Sequence, residues 1–194
     1  MRAALPDTVD LLVVGGGING VGIARDAAGR GLSVLLVDKG DLGGATSSAS
    51  SKLVHGGLRY LEQYQFRLVA EALAEREVLL KAAPHVVRPM PFIMPHVPAL
   101  RPTWMIRAGL LLYDYLARRQ TLPRARAIDL TSAQFGTGLK RGPRRGFLYS
   151  DCWVDDARLV VLTARAAADL GAAIAPRTAC RAAHRRDNRW HATL

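Results

Sequence analysis

The sequence of 194 residues is short of cysteine: Cys152 and Cys180 are the only two. They show no CxxC pairing and no metal-ligand spacing, which excludes a disulfide framework or a zinc module and predicts two reduced packing residues in a reducing compartment. Long apolar runs are missing as well. No window reaches the roughly 18 apolar residues of a membrane span. The nearest stretch, 104–116, is interrupted by Arg107 and Asp114. The apolar run near the N-terminus, Leu11 to Val14, is too short for a signal peptide and leads straight into glycines. Acidic residues are also scarce, 16 against 27 Lys and Arg, for a formal net charge of +11. That surplus suits an anionic partner: a phosphorylated ligand, a membrane face or nucleic acid. A soluble protein with free use of Arg explains it equally well. With 49% hydrophobic and 22% charged residues the composition is globular.

The glycines carry the first chemistry. "VDLLVVGGGINGVGIARDAAGRGLSVLLVDKG" reads as strand, tight turn, helix and strand. Residues 9–14 form a short apolar run without alternation, as in a parallel strand buried on both faces. Gly15, Gly17 and Gly20 follow in GxGxxG spacing. The first permits a tight turn, the second lets a phosphate approach the backbone, and the third lets the helix pack close to the strand. A helix over 19–30 with Gly31 as its C-terminal cap leads to a second buried strand, 33–37, ending on Asp38. Asp38 lies 18 residues past Gly20, near the spacing of the acid that accepts ribose hydroxyls in dinucleotide folds. A glycine turn used only for packing is the plainer alternative.

Next comes "ATSSASSKLVHGGLRYLE", with Thr46, Ser47, Ser48, Ser50 and Ser51 clustered ahead of Lys52, His55, Gly56, Gly57, Arg59 and Tyr60. A nicotinamide enzyme would ordinarily continue the βαβ pattern here. Instead, residues 40–51 form a small-residue loop whose backbone N–H groups and hydroxyls suit pyrophosphate, ribitol or the edge of a flavin. A flexible Ser-rich loop is the alternative on composition alone.

Taken together, the segment from Gly15 to Glu62 resembles the FAD-dependent respiratory glycerol-3-phosphate dehydrogenases, within the glycine/D-amino-acid oxidase-like flavoproteins. The similarity continues through "FRLVAEALAEREVLLKAAPHVV", "RPTWMIRAGLLLYDYL" and "YSDCWVDDARLVV". It implies an α/β, Rossmann-like FAD-binding domain with an inserted helical region and part of a second domain. Oxidation of sn-glycerol 3-phosphate to dihydroxyacetone phosphate is the implied reaction, with FAD as hydride acceptor and a membrane quinone as electron acceptor. The cofactor residues it implies are Gly15, Gly17, Asn19, Gly20, Asp38, Lys39, Thr46, Ser47, Ser48, Ser50, Ser51, Lys52, His55, Gly56 and Gly57. Arg59 and Tyr60 match positions that face the substrate phosphate or glycerol. Asp38 is a mild departure, since many relatives carry Glu there. No catalytic base and no metal ligand stand out. The expected setting is the cytoplasmic face of the inner membrane, against anionic lipid, without nucleic acid; a homodimer is compatible. Two rivals stay open: an amine or amino-acid oxidase of the same fold group, and a non-catalytic basic module that binds membrane or nucleic acid.

Along the rest of the chain, 65–83 predicts a helix with an apolar stripe of Phe66, Val69, Ala70 and Leu73, and with Arg67–Glu71 and Glu77–Lys81 as exposed i,i+4 pairs. Residues 88–102 are too rich in proline for a central strand and read as an extended edge or crossover; His85 and His96 there read as structural or solvated. Residues 104–119 predict an amphipathic helix whose aromatics pack inside the domain or meet a membrane. "LPRARAI" and "LKRGPRRGF" read as basic loops. Asp155 or Asp156 caps a following helix that ends at Gly171. The tail predicts a hairpin turning at Asp187-Asn188, with Trp190, Ala192 and Leu194 on one face. The expected divisions are 9–84 for the FAD-binding core and flavin loop, 85–150 for the insertion, and 151–194 for a helix and hairpin returning to the FAD domain. Because the chain stops after a bare hairpin, it is expected to be the N-terminal part of a longer protein.

Overall fold

A computed structural model describes residues 5–97, 101–116, 121–139 and 142–194. In chain order, β1 (Leu11–Val14), α1 (Ile18–Gly29) and β2 (Val34–Val37) lead to the short β3 (Leu53–Val54), a 3-10 turn (Leu58–Gln63) and α2 (Phe66–Ala82). Then come β4 (Val87–Pro95), α3 (Thr103–Tyr115), β5 (Arg126–Asp129), the single turn α4 (Ala133–Gly136) and β6 (Arg145–Val154). The chain continues through α5 (Asp156–Asp169), β7 (Ala173–Ala175), β8 (Ala182–Arg186) and β9 (Arg189–Thr193). Two compact units result, Met1–Lys52 with Asp155–Leu194, and Leu53–Val154.

The first unit is a parallel sheet in the order β1-β2-β7. Every residue of β2 is buried. Val34 and Leu36 face a core with Val21, Ala24 and Ala28 of α1 and with Val160, Ala164 and Ala167 of α5. Leu35 and Val37 face a smaller cluster on the other side with Ala175. This burial of alternate side chains on both faces is why the strands read as continuous apolar runs. Small residues on α1 and α5 let the two helices pack closely. Both helices end in the same way. Gly31 (φ +84°) and Gly171 (φ +99°) take left-handed backbone, while Leu32 N–H and Ala172 N–H donate back to Ala27 O and Ala167 O. That is the six-to-one bond of a Schellman cap. The tail is the expected hairpin, with Asp187 and Asn188 at φ 51° and 59° in its turn. All of β8 and β9 is exposed.

The second unit is an antiparallel sheet around β6, which pairs with β4 along its length and with β3 and β5 on its other side. The expectation of an extended edge for the proline-rich stretch holds. Pro89, Pro91 and Pro95 share one parity along β4, opposite Cys152, Ser150 and Gly146. The neighbouring parity points its amides at β6, as His96 N–H donating to Arg145 O shows. The missing proline donors therefore lie on the open edge.

Several expectations need correcting. The boundary placed at 84/85 falls at 52/53, because β3 pairs with β6 and α2 packs on β4, so residues 53–84 join the second unit. The start of 151–194 falls inside β6, with the division at 154/155. The two basic stretches contribute strands β5 and β6 as well as loops; residues 140–141 lie outside the described set. Glu77 is not on an exposed face: it is 6% exposed, 3.4 Å from Arg76 Nη2, and accepts from Thr121 N–H at 3.2 Å. On α3, Tyr113 enters the core, but Trp104 and Tyr115 point outward, 69% and 62% exposed. Residues 117–119 of that predicted helix lie outside the described set.

Candidate functional site

In the first unit Gly15 and Gly20 give the tight turn and the close helix packing that their spacing suggests. Gly15 has φ +114°, a conformation that side chains resist. A Cβ on Gly20 would stand 1.8 Å from Gly15 O, so the helix leaves the turn only without one. A Cβ on Gly17 would meet Ser47 Oγ at 3.0 Å. Gly17 stands at the N-cap of α1 with no side chain to bond the first turn, and the Ile18 N–H donates instead to Ser47 Oγ at 3.0 Å. Ser47 thereby sits over the positive end of the helix and keeps its own proton to donate.

Asp38 follows β2 directly and stitches the turn to the next loop. Its Oδ2 accepts Gly16 N–H at 2.6 Å and its Oδ1 accepts Gly40 N–H at 2.7 Å. A carboxylate has about four acceptor sites, so each oxygen retains one. A cavity of about 410 Å³ opens here, lined by Gly15, Gly17, Asp38, Lys39, Gly40, Gly43, Gly44, Ala45, Ser47 and Cys180 among others. Bare backbone at a turn, a helix N-terminus with Ser47 over its first amide, and an acid just past the strand end fit the ADP half of a dinucleotide.

Not every predicted cofactor residue lines that cavity. Asn19, Gly20, Thr46, Ser48, Ser50, Ser51 and Lys52 do not. Ser48 Oγ turns back to Ala45 O. Ser50 Oγ donates to Asp156 Oδ2 at 2.8 Å, and Lys52 Nζ bonds Asp156 Oδ1 at 2.5 Å. Those two bonds hold the Asp156 carboxyl far below the usual carboxylate range. Of the two acids expected to cap α5, Asp155 does so, accepting Arg158 N–H, while Asp156 ties down the hydroxyl-rich loop.

The second unit holds its own cavity of about 560 Å³, lined by His55, Gly57, Arg59, Tyr60, Phe92, Tyr149 and Asp151 among others. Phe92 and Tyr149 are cross-strand partners with rings 5.3 Å apart, and they form one wall. Arg59 and Tyr60 project from the 3-10 turn and are exposed. His55 Nδ1 accepts Gly57 N–H at 2.9 Å, which leaves the neutral ring its proton on Nε2, a donor. Gly56 lies buried beneath the cavity, its N–H donating to Tyr113 Oη at 2.8 Å.

Sequence reasoning passed over Arg76, Tyr113, Tyr149 and Asp151. Burial raises the Asp151 carboxyl, opposed by hydrogen bonds from Arg76 and Tyr113. Burial, then the charge of Asp151, raises the Tyr113 hydroxyl, and burial likewise raises Tyr149. Arg76, flanked by Glu75 and Glu77, carries no local signal of its burial, and Asp151 reads as one of several acids ahead of α5. His96 lies elsewhere in the unit, its Nε2 3.0 Å from Arg101 O. Among the described residues no group of His, Cys, Asp and Glu has metal-binding geometry.

Residues 10–193 match the family model described as FAD dependent oxidoreductase. The chain is 61% identical over 192 residues to a glycerol-3-phosphate dehydrogenase of Pseudomonas aeruginosa, covering 99% of this chain and 37% of that protein. It is 59% identical over 187 residues to a D-erythritol 1-phosphate dehydrogenase of Brucella abortus, covering 96% and 37%. Among solved structures, the glycerol-3-phosphate dehydrogenase of Bacillus halodurans complexed with FAD superposes with a TM-score of 0.66 at 26% identity, over 95% of this chain and 29% of that one. The chain thus spans about a third of the length of the curated relatives it matches. The match sets aside the reading as a basic module without flavin. The glycine turn, the acid closing β2 and the family match over 10–193 agree: this chain belongs to the FAD-dependent oxidoreductases, and its cofactor is FAD.

Proposed function

We propose that the full-length protein oxidises sn-glycerol 3-phosphate to dihydroxyacetone phosphate and passes the electrons to a membrane quinone. FAD supplies the two-electron acceptor for the hydride leaving C2. In this reading the turn at Gly15 and Gly17, with the α1 N-terminus, receives the pyrophosphate, and the remaining acceptor sites of Asp38 receive the ribose hydroxyls. Ser47 donates its free proton to the same region. His55 Nε2–H and the backbone at Gly57 are the donors that this reading assigns to the flavin. Arg59 binds the substrate phosphate through a charge-assisted contact, and Tyr60 borders the glycerol. The observation that carries the reading is the cavity of the second unit. There Arg59 stands exposed beside His55 and Tyr60, in a chain 61% identical to a glycerol-3-phosphate dehydrogenase.

A second substrate is favoured by the 59% identity to a D-erythritol 1-phosphate dehydrogenase. Both substrates are polyol phosphates, so the phosphate site serves either. The deciding experiment is anaerobic flavin bleaching in the purified full-length protein, with each polyol phosphate in turn. Bleaching by sn-glycerol 3-phosphate at lower concentration than by D-erythritol 1-phosphate is expected. Failure of both to bleach a loaded flavin overturns the proposal, and the reverse preference moves it to the four-carbon substrate.

The net charge of +11 suits attachment to anionic lipid on the cytoplasmic face of the inner membrane, each basic residue near the surface contributing about 1 kcal/mol. No described helix is long and apolar enough to cross a membrane. Co-sedimentation with anionic but not zwitterionic vesicles tests this attachment.

A further inference from the structure

A buried polar chain underlies the turn that carries Arg59 and Tyr60. It begins at Arg76 on α2, whose side chain is 1% exposed and whose Nη1 donates to Asp151 Oδ1 on β6 at 2.5 Å. Tyr113 on α3, also 1% exposed, donates its hydroxyl proton to the same carboxylate, 2.9 Å from Oδ1 and 3.0 Å from Oδ2. The Tyr113 oxygen then accepts the N–H of Gly56 at 2.8 Å. Three elements therefore converge on one backbone amide.

That amide sits where small displacements matter. A Cβ on Gly56 would lie 2.5 Å from Leu73 Cδ2 and 2.9 Å from Tyr113 Cε2, so the backbone is pressed against the core. The next residue, Gly57, has φ +70° and opens the 3-10 turn. Its N–H bonds His55 Nδ1, so the imidazole is set within the same two residues. Packing alone does not call for this chain, because a buried ion pair typically contributes no more stability than apolar residues of the same volume. It does give direction. A hydroxyl that donates to a carboxylate is a better acceptor, and its geometry is narrow.

We propose that Arg76, Asp151 and Tyr113 form a positioning unit that holds the Gly56 amide and so aims His55, Arg59 and Tyr60 into the cavity they line. The assignment to substrate binding rests on the reading of that cavity as the polyol-phosphate site. Asp151 closes the chain at the cavity wall, so the same carboxylate anchors the turn from behind and borders the site.

The test compares Tyr113→Phe with Val69→Ala in the full-length protein. Val69 belongs to the same apolar cluster as Tyr113 and makes none of the polar chain's hydrogen bonds, so its truncation reports a packing loss. Two readouts are taken at matched loss of thermal stability. They are amide exchange of the peptide containing Gly56, and the split of KM from kcat for sn-glycerol 3-phosphate. Tyr113→Phe is expected to speed Gly56 exchange and to raise KM, each by about tenfold, the effect of one lost hydrogen bond. FAD content should be retained, and Val69→Ala should change neither readout. Asp151→Asn, which keeps an acceptor oxygen but loses the charge, should fall between the two. Exchange and KM in Tyr113→Phe no different from Val69→Ala overturn the proposal. If the protein acts on no polyol phosphate, the cavity reading fails by itself and exchange still decides: faster exchange in Tyr113→Phe alone supports the positioning unit, and equal exchange removes it.

Discussion

Lys52 Nζ lies 2.5 Å from Asp156 Oδ1 although 104 positions separate the two residues in the chain. With Ser50 Oγ on the other oxygen, this one carboxylate pins the end of the hydroxyl-rich loop to the start of α5. Asp156→Asn should release the loop without unfolding the unit. Faster amide exchange across 46–52 and about a tenfold weaker hold on FAD are expected, the loss of one charge-assisted bond. Exchange and fluorescence titration with FAD check both.

The same carboxylate sets a pH dependence. Its folded pKa is depressed, so the contribution of the tether is complete above the ordinary carboxylate value and is lost only as pH falls through the folded one. Protection of residues 46–52 should therefore stay constant from neutrality down to about pH 4 and fall in stronger acid. A decline already at mildly acid pH would mean that another group governs the loop.

Gly20 and Gly17 should respond differently to the same added methyl. Gly20→Ala places a Cβ 1.8 Å from Gly15 O, a clash with backbone, and should lower stability by about 1–3 kcal/mol or more and abolish flavin retention. Gly17→Ala meets only the Ser47 hydroxyl, 3.0 Å away, which can rotate. It should fold near normally and weaken FAD binding. Urea unfolding together with flavin content after purification separates the two.

Arg59→Ala should lower kcat/KM for sn-glycerol 3-phosphate by about ten- to a hundredfold, from the roughly 1.5–3 kcal/mol of a charge-assisted contact. Flavin content should be unchanged. An unaltered kcat/KM would leave Arg59 a surface residue of the turn.

Arg76→Met strands the carboxylates of Asp151 and Glu77 in the core, where Arg76 is the cation bonded to both. A loss of about 3–5 kcal/mol is expected in equilibrium unfolding, far more than for the exposed Arg67 of the same helix.

Short-range chemistry was legible in the sequence. The turn at Gly15 to Gly20, the left-handed caps at Gly31 and Gly171 and the hairpin at Asp187-Asn188 each depend on residues within one turn of each other, so spacing alone determined them. The prolines of β4 likewise announced an open strand edge. What pairs across the chain was not legible. β6 went unread as a strand because buried Ser150 and Asp151 interrupt its apolar residues, leaving neither the alternation of a half-buried strand nor the continuous apolar run of a fully buried one. The boundary at 52/53 follows from β3 pairing with β6, a partner about 100 residues away. Arg76 and Glu77 read as ordinary helix charges, and Asp151 as one of several acids ahead of a helix. Only tertiary packing, by removing water around them, turned Arg76, Asp151 and Tyr113 into a connected group beneath the candidate site. Desolvation is a property of the assembled unit, and no local pattern of residues encodes it.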